Sequence, residues 1–214
     1  MSLLDMFRRP PPIADVGALE DFLDTHAAFL VQECVFEYSR ARAGVFWDKL
    51  FGEPDFKAAV DVARWNGFAI ALADVVEMVE GTLRPAARGR EADLLDRLIG
   101  MAEAVIRRYP VPAGEPADFW VTQIAWLRRR LAGIQLGPPK AVKDIPLGTA
   151  RKMFDMMPIH KSLRGEDFVV VRNHLRSNLC RMSEEFGQRV EIGPLVAEVL
   201  AAPQPANMPA LGAE

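Results

Sequence analysis

Asp55–Glu80 reads DFKAAVDVARWNGFAIALADVVEMVE, and its pattern decides the fold. Val60, Trp65, Phe68, Leu72, Val75, Val76 and Val79 recur at helical spacing, and plotted at about 100° per residue they cover more than half the circumference. A surface helix confines its apolar residues to one stripe, whereas a helix apolar on most sides is surrounded by others. The spacing therefore predicts a central helix, closed by Gly81 and Pro85, around which the rest of the chain packs.

The same period recurs on both sides of it. Upstream, Leu19, Phe22, Leu23, Leu30, Cys34 and Ala41 mark a first long helix over Ala18–Ala43, joined to the central one by a turn at Gly52, Glu53 and Pro54. Downstream, Leu94, Leu95, Leu98, Met101, Ala102, Val105 and Ile106 mark a third over Glu91–Tyr109. After the connector Pro110–Pro116, Trp120, Ile124, Leu127 and Leu131 mark a fourth over Ala117–Ile134. A short helix from Thr149 to Met156 takes Thr149 as its N-cap and is closed by Pro158. The fifth long helix runs from about Gly165 to Phe186 on the stripe Phe168, Val171, Leu175, Leu179, Met182 and Phe186, with Glu166 and Asp167 at its dipole-favoured start. A last short helix reaches Leu200 beyond Pro194.

Phe168–Val171 is the one β-branched run and leads straight into a helical pattern, so almost no sheet is expected. The fold expected is all-α: a single-domain bundle of about five long helices with short additional helices and Pro-rich connectors, over residues 13–200. A flexible segment, 1–12, precedes it, and a disordered Pro/Ala-rich tail, 201–214, follows.

Composition narrows the function classes. The 214 residues are 50% hydrophobic and 26% charged, an ordinary globular mixture, and a net charge of −3 supplies no global field for nucleic acid or acidic membrane. MSLLDMFRRPPP lacks an apolar run of signal-peptide length, and the longest uncharged apolar stretch, Trp65–Ala73, is far short of the roughly 20 residues needed to cross a bilayer. A soluble, cytoplasmic protein without a transmembrane segment is expected. Cys34 and Cys180 form no CxxC pair, which argues for two reduced, buried thiols rather than a disulfide or thiolate zinc site.

Charged residues gather in three places. On the first helix His26, Glu33, Glu37 and Arg40 fall in one narrow sector beside the apolar stripe; Glu33 and Glu37, at i and i+4, repel unless a cation or proton intervenes. They are the candidate carboxylate pair for acid/base work, against the plainer reading of glutamates neutralised by arginines. On the central helix Asp61 and Arg64 are spaced to pair with each other and point toward its apolar side. On the fifth helix and the loop before it, Lys161, Arg164, Arg172, Arg176 and Arg181 make a basic surface suited to carboxylates or phosphates. His160 reads as a loop hydrogen-bonder, and Cys180 has no base beside it, since His174 projects to another flank.

Several chemistries lack their motifs. No glutamate has a histidine three residues later, as di-iron bundles require, and HExxH is missing, so neither metal nor cofactor is expected. Phosphate loops, GxGxxG and the GxSxG elbow are missing too. Arg128, Arg129 and Arg130 sit near a helix C-terminus, where cations are favoured anyway, and no basic-aromatic platform accompanies them; nucleic-acid binding is not expected.

FEYSRARAG at 36–44, ARWNGF at 63–68, RYPVPA at 108–113 and MPIHKSLRGEDFVVVRNHLRSNLC at 157–180 together resemble an uncharacterised bacterial helical family of alphaproteobacterial type, over most of residues 10–200. Some of its members carry an esterase label, which no GxSxG motif or Ser-His-Asp arrangement supports here, so the resemblance implies a helical fold and no catalytic residues. Two functional expectations follow from the residues. One is an interaction or adaptor protein that binds an acidic protein partner through the basic fifth helix and its preceding loop. The other is a small-molecule site, enzymatic or not, in which Glu33 and Glu37 meet Arg64, Arg172 or Arg176. A homodimer through the broad apolar surface of the central helix is compatible with either.

Overall fold

The computed structural model describes residues 10–202, and over them the chain is an all-α single-domain bundle. Residues 1–9 of the expected N-terminal segment and 203–214 of the expected tail lie outside the described residues. In order the helices are α1 (Val16–Val31), α2 (Tyr38–Ala43), α3 (Trp47–Gly52), α4 (Pro54–Ala87), α5 (Glu91–Arg107), α6 (Phe119–Ala132), α7 (Ala150–Asp155), α8 (Lys161–Arg164), α9 (Phe168–Arg189) and α10 (Ile192–Ala201). A π-helical segment, Gln32–Glu37, joins α1 to α2, so the first helix runs nearly unbroken to Ala43 as its apolar spacing predicts.

The central helix is α4. Every residue from Gly67 to Glu80 is buried, and α1, α3, α5, α6, α9 and α10 all pack on it. It does not end at Gly81 and Pro85 but continues to Ala87, stopping where Arg88 turns into the left-handed region at φ 47°. Leu83 and Ala87 are buried, so the apolar face continues through the last turn and offsets the one hydrogen bond that Pro85 cannot make. Gly81 serves a different purpose from a stop: a Cβ there would lie 3.3 Å from Pro139 Cβ, so the glycine lets the 137–140 segment lie against the helix.

Other boundaries shift similarly. Trp47–Gly52 forms α3 where a turn is expected, because Phe51 packs edge-on against both Phe36 and Phe56. α9 begins three residues later than Gly165, which sits at φ 50° in the preceding loop, and continues past Phe186 to Arg189. Ile13, fully buried, exchanges backbone hydrogen bonds with Arg189 and Glu191 (2.8 and 3.0 Å), an isolated bridge with Val190 that fastens the start of the described chain to the end of α9. Among the described residues no helix is long and apolar enough to cross a membrane.

Candidate functional site

A row of carboxylates inside α4 is a feature the sequence reading missed. Asp74, Glu77 and Glu80, at i, i+3 and i+6, are buried. Each is answered. Arg84 holds Glu80 with two bonds of 2.7 Å and Gln135 adds a third at 2.7 Å, while Glu77 takes Arg130 and Lys140, the latter at 2.9 Å. Thr149 is at the N-cap position of α7 as expected, but its hydroxyl donates to Asp74 at 2.6 Å rather than capping the helix. Burial pushes the Asp74 carboxyl up to about 7, helped by Glu77 and opposed by Thr149, Arg130 and Lys140. The arginine run is explained by the same logic: Arg130 goes to Glu77 and Arg128 to the buried Glu103, which Arg107 also meets at 3.1 Å. The signal was available as three acids on one face of a helix buried all round, which cannot stay there unpaired.

Glu33 and Glu37 do not form an acid/base pair. Glu33 meets His174 at 3.3 Å and Glu37 pairs with Arg40 at 2.6 Å, and neither has Arg64, Arg172 or Arg176 as a partner. Arg64 is half exposed, 3.7 Å from Asp61 and stacked 4.5 Å from the Trp65 ring centroid. The Asp61–Arg64 pair is therefore a surface pair rather than one turned into the core; it edges a small groove of about 270 Å³ with Phe36 and Phe51. Cys34 is buried, and burial, with Glu33 and Asp74 adding, raises its thiol far above the usual range, which makes it a packing residue. Cys180 is partly buried, in keeping with its place about 100° from the centre of the apolar stripe of α9.

The basic surface splits into groups with different roles. Arg164 is 5% exposed; it donates to the Phe154 carbonyl and lies 5.1 Å from the Phe154 ring, so it is an internal strut and not a contact residue. Arg176 is tied to the 142–148 segment, donating to the Lys143 carbonyl at 2.7 Å and lying 3.6 Å from Asp144. Lys161 and Arg172 have no carboxylate partner among the described residues, Arg172 resting 5.8 Å from the Phe168 ring.

The segments 45–47 and 163–170 also expose large apolar side chains. Val45 is 89% exposed, Phe46 71%, Leu163 61% and Val170 61%, with Trp47 and Val169 also exposed. Asp167 links the two segments: it accepts from Tyr38 at 3.0 Å and pairs with Arg42 at 3.1 Å, tying α2 to the start of α9.

A separate groove of about 800 Å³ opens between α1 and α9. His26, read from sequence as part of the polar ladder, is buried in its wall with Nδ1 2.9 Å from the Phe22 carbonyl and Nε2 3.1 Å from Glu185. Its ring stacks on Phe22 at 3.8 Å. Burial would raise the Glu185 carboxyl, but hydrogen bonds from His26 and Arg189 outweigh it and hold Glu185 below the usual range. Arg181 lines the same groove, bonded to Asn178.

Among the described residues no three His, Cys, Asp or Glu side chains gather as metal ligands would. Comparison with family models, with curated proteins and with solved structures finds no match for the chain.

Proposed function

We propose that this chain is an interaction protein that binds the acidic, amphipathic helix of a protein partner at the end formed by Gly44–Trp47, α8 and the first turn of α9. The observation that carries the reading is that Asp167 ties Tyr38 and Arg42 to the start of α9, joining the segments that hold exposed Val45 and Phe46 to those that hold exposed Leu163 and Val170. Isolated exposed apolar residues are ordinary, but several large ones at one end of a bundle mark a surface that another molecule covers. In the segments that form it, Lys49, Lys161 and Arg172 have no carboxylate partner among the described residues and stand against Asp48 and Glu166, a small cationic excess that favours an acidic rim on the partner. The binding surface is thus the basic helix and preceding loop, less Arg164 and Arg176, plus the tip after α2. The free thiols suit a reducing compartment such as the cytoplasm, and the proposal extends to the helical bacterial family that the chain's motifs resemble.

Two synthetic helical peptides with the same apolar face, one flanked by glutamates and one by lysines, test it by titration calorimetry. The glutamate peptide should bind at least about tenfold more tightly, a difference of about 1.4 kcal/mol. Phe46→Asp with Leu163→Asp should remove binding while leaving the melting temperature unchanged, because both side chains already face water. Equal affinity for the two peptides, or an unaffected double variant, overturns the reading; a sedimentation shift from dimer to monomer in the double variant would assign the surface to a second copy instead.

A further inference from the structure

The groove between α1 and α9 lies apart from that surface and has a different chemistry. Its charged side chains differ in what holds them. Asp15 is occupied as the cap of α1, accepting from the Ala18 amide at 2.7 Å, and Asp21 lies 3.1 Å from Arg108. Glu185 is shared by His26 and Arg189, and Arg189 also donates to the Pro11 carbonyl at 3.0 Å. Arg181 remains: its one hydrogen-bond partner among the described residues is the Asn178 amide oxygen, and Asn178 is itself 2% exposed. The guanidinium is thus held in place by a neutral, buried neighbour, with its other donors unused and no carboxylate within salt-bridge distance among the described residues.

The walls around it are apolar. Phe22, Phe29 and Met182 line the groove with Pro11 and Pro12, and Phe29 is 40% exposed although it is a large aromatic in a helix of the core. About 800 Å³ lies within the range of small-molecule sites. Both nitrogens of His26 are engaged, Nδ1 2.9 Å from the Phe22 carbonyl and Nε2 3.1 Å from Glu185. The arrangement binds rather than reacts.

We propose that this groove binds an organic monoanion with an aromatic body, its carboxylate taken by Arg181 and its ring laid between Phe29 and Met182. Arg181 is a lining cation with no carboxylate partner among the described residues, and a guanidinium receives a carboxylate through two parallel hydrogen bonds. A multiply charged phosphate ester would bring a second charge that no further cation of the groove answers.

The probe is 1-naphthoate, with 1-naphthalenemethanol as its neutral counterpart, titrated while the Met182 methyl resonance is followed in methyl-labelled protein. Naphthoate should bind with a dissociation constant below about 1 mM and shift Met182. The alcohol should bind at least tenfold more weakly, and Arg181→Gln should bring naphthoate down to the level of the alcohol. Arg181 is exposed, so this variant folds; Phe29→Ala should weaken both compounds. No binding of naphthoate, an unmoved Met182, equal affinity for acid and alcohol, or an unchanged affinity in Arg181→Gln each overturns the proposal. None of these outcomes bears on the peptide surface at the other site, whose residues the variants leave intact.

Discussion

Two polar regions built from the same residue types behave in opposite ways. Inside α4, Asp74, Glu77 and Glu80 are buried with Arg84, Arg130, Lys140, Gln135 and Thr149 filling the space around them. Between α1 and α9, Glu185 answers His26 and Arg189, yet Arg181 is left over and faces about 800 Å³ of open groove. A count of charged residues would rank the α4 cluster as the better site. Matching each cation to its acid, and asking whether space remains, reverses that order: the first is a network that fixes how segments pack, and the second has an unmatched charge available to a ligand. Buried ion pairs of the first kind are also weak evidence for net stability, since removing charges from water offsets much of their attraction.

The comparison breaks most readily at Arg84. Its guanidinium joins Glu80 to the carbonyls of Ile134 and Gly137 (3.2 and 2.8 Å), so it connects α4 to the chain after α6. Arg84→Met leaves Glu80, fully buried, with Gln135 alone, and should cost about 3–5 kcal/mol in urea unfolding. Adding Glu80→Gln should recover a large part of the loss, because the uncompensated charge disappears with it. A single variant as stable as the parent would show that the network is wet and exchangeable, like the groove.

An effect of similar size tests the sealing of the network through pH. Asp74 is raised from 3.8 to about 7, by burial first. Between those values the unfolded chain has lost its proton and the folded chain keeps it, so the folded state binds more protons and stability falls as pH rises. The slope is at most about 1.4 kcal/mol per pH unit, present between about pH 4 and 7 and gone above 7. Below pH 4 both states are protonated and the full contribution is present. Asp74→Asn keeps an acceptor for Thr149 and removes the proton, so the difference in urea midpoint between variant and parent should grow from pH 4 to 7 and then stay constant, with the variant the more stable at pH 8. Parallel curves would place Asp74 in contact with water.

Much of the fold was legible because apolar periodicity records burial directly. The all-α bundle, the central place of α4 and the cores of α1, α5, α6 and α9 all follow from positions such as Leu72, Leu98, Leu127 and Leu179. Boundaries were less legible. Pro85 and Gly81 are breakers by intrinsic preference, but the burial of Leu83 and Ala87 and the approach of Pro139 override them, and those contacts come from residues distant in sequence. The sites suffered more. A helical wheel places Glu33, Glu37 and His26 in one sector, and the sector is real, but it cannot say that His174 meets Glu33 while Glu185 meets His26, since both partners lie on α9. Arg164 and Arg181 look alike in the chain; one is buried against Phe154 and the other lines a groove, a difference made entirely by tertiary packing.

The smallest expected effect sharpens the comparison best. Arg181→Gln removes a full charge, as Arg84→Met does, but Arg181 is exposed and neutralises no carboxylate among the described residues. Its loss therefore strands no buried ion, and the Asn178 amide beside it can bond to the new glutamine or to water. The change in unfolding free energy should stay within about 0.5 kcal/mol, the range of ordinary surface substitutions. Two arginines on the same bundle would then differ by several kcal/mol in stability, in proportion to the acid each one answers. A loss above about 2 kcal/mol in Arg181→Gln would mean that Arg181 supports Asn178 and the α1–α9 packing, and its spare hydrogen-bonding capacity would no longer point to a ligand.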